Sequence, residues 1–111
     1  MTSDLRFRSI LLAAGLASLL PSGAASAGPS MATRAGPMTL DLEGCKQRAQ
    51  AAAKKAQFKV SKVLQFSVFA ERDSYSVVVR CVPNQKVVFF VVAGPRMDRT
   101  TSYLDDIGDA F

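Results

Sequence analysis

Cys45 and Cys81 are the two thiols of the chain, and joining into a single disulfide is the first chemistry their types allow. Such a bridge would close a loop of 36 residues, which loop-closure entropy values at about 4 kcal/mol. Two buried free thiols are the alternative. The pair lacks the C-x-x-C spacing of a redox motif and is too sparse for structural zinc.

Candidate catalytic groups are few. The chain contains no histidine, which removes the commonest general base near neutrality, the usual Ser-His-acid and Cys-His arrangements and the commonest zinc ligand. Asp98, Asp105, Asp106 and Asp109 gather near the C-terminus without the alternating ligand spacing of a calcium loop, and read as acids of a helix start. Glu71 and Asp73 flank Arg72 in a polar turn. An enzyme would need Tyr75, Arg80 and an acid such as Asp73 to converge, and nothing in their spacing brings them together. Gly94 stands outside any glycine-rich phosphate loop. No catalytic residue, metal site or cofactor is assigned.

Charge supplies a second candidate. The chain carries a net +5, and Lys46, Arg48, Lys54, Lys55, Lys59 and Lys62 follow one another with no acid between them. A basic face of Lys46, Lys54, Lys55 and Lys59 would suit an anionic ligand or surface polymer. Nucleic acid is not expected, because Phe66, Phe69, Phe89 and Phe90 sit in strand patterns where aromatic side chains fill cores.

The N-terminus explains why an exported setting is expected. Arg6 and Arg8 precede an apolar run over residues 10–20, Pro21 and Gly23 break it, and Ala25, Ser26 and Ala27 are the small residues wanted before a cleavage site. Residues 1–27 therefore read as a cleaved secretory signal peptide, too short in its apolar part to span a bilayer that needs about 20 residues. Export, to a periplasm in the expected case, permits the disulfide. No transmembrane span follows the leader.

Residues 28–38, with two Gly-Pro pairs and no periodicity, read as a flexible arm. Residues 39–111 are expected to form one small α+β domain in the order α-β-β-β-α. Leu42, Cys45, Ala49, Ala52 and Ala56 recur at helical spacing over residues 41–57. Three strands follow, over residues 62–70, 75–82 and 86–92, as an antiparallel meander under that helix. Ser102 is the expected cap of a short C-terminal helix carrying Leu104, Ile107 and Phe111. A disulfide would make the face of Tyr75, Val77, Val79 and Cys81 the one the first helix covers.

The third strand raises the main question, because Val87, Phe89 and Val91 on one face and Val88, Phe90 and Val92 on the other are all apolar. A meander would leave this strand at an edge, where it invites aggregation. The C-terminal helix could cover it, a second copy could pair with it, or the strand order could place it centrally. Val88, Phe90, Val92 and Phe69 are the expected interaction face, contacted by a homo-oligomer partner or another envelope protein.

Val91 to Gly94, VVAG, resembles part of the QxVxG signature of the cystatins, exported inhibitors of cysteine proteases. In that family an N-terminal glycine, the QxVxG hairpin and a Pro-Trp hairpin enter the protease cleft together. Here Val92 and Gly94 fit, and Gly28 or Gly36 stands for the first glycine. Phe90 replaces the glutamine and there is no tryptophan. The likeness spans four residues, and Gly94-Pro95 reads as the end of a strand. The expectation is a non-enzymatic interaction domain, with anionic-ligand binding next and an enzyme or inhibitor third.

Overall fold

The computed structural model describes residues 28–111, so the leader expected over residues 1–27 lies outside the described residues. The elements are β1 (Ser30–Pro37), α1 (Leu42–Lys55), β2 (Lys59–Val63), β3 (Ser67–Arg72), β4 (Tyr75–Val82), a 3-10 turn (Pro83–Gln85), β5 (Val87–Gly94) and α2 (Met97–Ala110). The class is α+β, as expected. The sheet, however, has five antiparallel strands in the order β1-β5-β4-β3-β2.

Two corrections account for the extra strands. The arm expected to be flexible is β1, paired with β5 over its whole length from Ser30 opposite Gly94 to Pro37 opposite Val87. Its alanines, Gly36 and Pro37 carry no strand signal, yet β5 offers an unpaired row of backbone donors and acceptors that β1 satisfies. Pro37 sits at the strand's end on the sheet edge, where its missing N–H is harmless. The first expected strand is in fact two, β2 and β3, turning at residues 64–66. A bulge between Val60 and Lys62 breaks the period of two. The most apolar strand, β5, is thus interior.

Both helices lie on one face of this sheet. Asp41 caps α1 through its carboxylate, which accepts from the Gly44 N–H at 2.7 Å. Cys45, Ala49, Ala52 and Ala53 form its buried stripe. The small side chains let α1 approach β4 closely enough for the Cys45–Cys81 disulfide, with Cα atoms 6.2 Å apart. At the other end the Gln57 N–H donates to Lys54 O and the Phe58 N–H to Ala53 O, the paired bonds of a Schellman stop.

Helix α2 begins five residues before the expected Ser102 cap, at Met97. Its buried residues Thr100, Tyr103, Leu104 and Ile107 keep the i, i+3, i+4, i+7 spacing. A polar residue in the first position hid that start from a reading based on apolar periodicity. Tyr103 meets Phe58 and Tyr75 edge-to-face at 5.3 and 5.1 Å, and Phe111 meets Phe90 at 5.3 Å.

Candidate interaction surface

Strand alternation sorts the sheet into a covered and an uncovered face. The disulfide assigns the covered one, with Tyr75, Val77, Val79 and Cys81 all buried beneath the helices. The β4–β5 register then decides the parity of β5, since Val77 lies opposite Val92, Val79 opposite Phe90 and Cys81 opposite Val88. Val88, Phe90 and Val92 are consequently core residues at 3% exposure or less. They do not lie on the uncovered face, which is a correction of the expected interaction set. Phe69 alone of that set is on the uncovered side.

The uncovered face is built in rows. Phe69, Val78, Val91 and Thr33 form one, and Ser67, Arg80, Phe89 and Ala35 the next. Val82, Val87 and Pro37 continue toward one end, and Glu71, Ser76, Ala93 and Met31 toward the other. Phe89 is 44% and Met31 60% exposed, while Phe69, Val78, Val87 and Val91 are half-buried by their neighbours. On β1 and β5 this face carries no charge. Its charged side chains, Lys59, Lys62, Glu71 and Arg80, stand on β2, β3 and β4. Arg80 donates to Ser67 Oγ at 3.4 Å and lies 5.8 Å from the centre of the Phe66 ring. Among the described residues no helix packs on this side. The missed residues Phe89, Val91 and Val87 carry no signal of their own in the sequence, because β5 is apolar at both parities and only the Val82–Val87 register separates its faces.

The four lysines of the expected basic face are dispersed. Lys46 pairs with Glu43 at 3.0 Å, and its Nζ donates to the Leu64 carbonyl at 3.4 Å, leaving its side chain 12% exposed. Lys54 and Lys55 stand two turns further on, at the end of α1. Lys59 is on β2, opposite Glu71 on the uncovered face.

Elsewhere the polar groups serve the fold. A cleft of about 390 Å³ between the ends of α1 and α2 is lined by Lys55, Gln57, Arg72, Asp106 and Asp109 among others. Within it Arg72 donates to the Ala56 carbonyl at 3.0 Å and stacks 4.8 Å over the Tyr103 ring, so it closes the end of α1. Asp98 is bound to Arg96 and Asp109 to Arg34. The Arg96 side chain, then the Arg99 backbone N–H, holds the Asp98 carboxyl below its ordinary range. Tyr75 and Arg80 point to opposite faces of β4, so they share no pocket. Among the described residues no three His, Cys, Asp or Glu side chains are grouped to hold a metal ion.

With the surface described, the known proteins add nothing to it. No protein-family model matches the chain, and no curated protein matches it. The cystatin-like stretch Val91 to Gly94 lies inside β5, with Gly94 beneath the Tyr75 ring and α2 following, so it forms no hairpin tip. The disulfide is compatible with an oxidising location. Among the described residues no helix is long and apolar enough to cross a membrane.

Proposed function

We propose that this chain is an exported, non-enzymatic protein–protein interaction domain that pairs with a second copy of itself through the uncovered face of its sheet. The observation that carries this reading is the uncharged half-face of β1 and β5, with Phe89 and Met31 standing out from it beside the small residues Ala35 and Thr33. A bulky side chain of one copy can seat over a small one of the other, the interdigitation that sheet-on-sheet packing uses. Face-to-face pairing about a two-fold axis along β5 would leave Lys59 and Lys62 outside the overlap, so no charge of β2 is buried.

Area sets the strength. The three strands that overlap, β1, β5 and β4, about 4.8 Å apart and eight residues long at about 3.3 Å each, make a face of roughly 380 Å² per copy. Two such faces bury about 760 Å², below the roughly 1,200 Å² of stable interfaces, which makes the dimer weak and reversible. Dispersal of Lys46, Lys54, Lys55 and Lys59 over separate surfaces favours this reading over an anionic-ligand site on α1.

Sedimentation velocity from about 10 μM to about 1 mM spans the affinities of interfaces this small. The expected result is a concentration-dependent shift to dimer that Phe89→Lys abolishes while thermal unfolding stays unchanged, because Phe89 is outside the core. A wild-type monomer throughout that range would overturn self-pairing. In that case a photo-crosslinking residue at position 89 in the source cell would separate an envelope partner from no partner, with position 101 on α2 as the silent control.

A further inference from the structure

The turn joining β2 to β3 is a second place where large apolar side chains meet water, at the end of the sheet instead of on its face. Val63, Leu64 and Phe66 are 43%, 48% and 36% exposed. The turn is pinned by the Leu64 N–H donating to Ser67 O and the Cys81 N–H donating to Phe66 O, each at 2.8 Å. The second of these bonds ties it to the half-cystine that anchors β4 to α1. These side chains are therefore held out by a fixed backbone.

Cations surround the turn. Lys62 directly precedes it, the Arg80 guanidinium lies 5.8 Å from the centre of the Phe66 ring, and Lys86 stands at the same end of the sheet, between β4 and β5. Lys46 reaches the Leu64 carbonyl from α1. The acids at this end are Asp41 and Glu43, and both are engaged, Asp41 by the Gly44 N–H and Glu43 by Lys46. Among the described residues Lys62, Arg80 and Lys86 have no carboxylate within ion-pair distance.

We propose that this turn docks the domain on the headgroup layer of an anionic lipid membrane, with Leu64 and Phe66 entering the interface and Lys62 and Arg80 meeting lipid phosphates. Three side chains on a convex turn offer far less than the roughly 800 Å² per partner that a stable protein contact requires. An interfacial anchor needs only a few apolar side chains backed by cations. The attachment is peripheral, and it does not depend on pairing through the sheet face.

The chain has no tryptophan, so Leu64→Trp places a single reporter at the tip. In the oxidised protein recovered from the exporting cell, its emission should shift to the blue with mixed phosphatidylglycerol–phosphatidylcholine vesicles and stay unchanged with phosphatidylcholine alone. Thr101→Trp, on the exposed side of α2, should show no shift with either. In co-sedimentation with the same anionic vesicles, Lys62→Ala should weaken binding about fivefold, the equivalent of one headgroup-layer cation. Leu64→Ser with Phe66→Ser should weaken it at least as much, and Lys54→Ala with Lys55→Ala should leave it unchanged. Absence of a blue shift with anionic vesicles would overturn the proposal, as would binding that depends on Lys54 and Lys55 but not on Leu64 and Phe66.

Discussion

Ser30 and Thr100, separated by 70 positions, share a hydrogen bond of 2.7 Å between their hydroxyl oxygens. Ser30 Oγ also donates to the Gly94 carbonyl at 2.8 Å. A hydroxyl has one proton, so Ser30 accepts from Thr100 in the first bond. Thr100 is fully buried at 0% exposure, and this contact with β1 satisfies its hydroxyl. The first strand is thereby latched to the last helix.

The latch should respond asymmetrically to mutation. Ser30→Ala leaves the buried Thr100 hydroxyl without its partner, at a cost of about 1–3 kcal/mol. Thr100→Val removes that hydroxyl with little change of shape, and Ser30 keeps its bond to Gly94, so the loss should stay near 1 kcal/mol. The double variant should be less destabilised than the sum of the two. Urea unfolding of all three chains measures this coupling. Equal, additive losses would mean that the hydroxyl pair contributes nothing specific.

Gly94 closes β5 where the Tyr75 ring packs against its backbone, and a Cβ there would overlap ring atoms directly. Tyr75 has little room to retreat, because Tyr103 packs on it edge-to-face. Gly94→Ala should therefore destabilise by about 1–3 kcal/mol through overpacking. In Tyr75→Leu, which frees that space, the same substitution should cost much less, and thermal unfolding of the four chains gives the comparison.

Gln57 ends α1 with φ of 67°. A side chain in this left-handed region costs about 1–2 kcal/mol that glycine avoids, although glycine returns part of the gain as unfolded-chain entropy. Gln57→Gly should raise stability by about 0.5–1 kcal/mol, read from the denaturation midpoint at constant m-value. A lower midpoint would mean that the Gln57 side chain holds a contact worth more than the backbone strain.

The α1 stripe and the alternation of β4 were legible because each repeats one simple period, and the cysteine on each then named the covered face. Phe89, Val91 and Val87 were not distinguishable from Val88, Phe90 and Val92, because β5 is apolar at both parities. Only the pairing of Cys81 with Val88 across a specific turn separates them. Phe69 lies on the uncovered side because it pairs with Val78, across β4 from the Cys81 face. The β2–β3 turn escaped notice because Leu64, Gln65 and Phe66 include no turn-forming residue and continue the apolar alternation of the strand that seemed to contain them.

By itself the sequence determined the α+β class, the main helix and the two cysteines able to meet, since these follow from local periodicity and from residue chemistry. The tertiary structure alone decided that residues 30–37 become a strand. Their aperiodic mix of side chains expresses no preference, and it is the open backbone edge of β5 and the buried hydroxyl of Thr100 that recruit them. It also decided which side of β5 meets water. A strand apolar on both faces contains no record of which neighbour it will have, and a shift of one residue in register exchanges every side chain between core and surface.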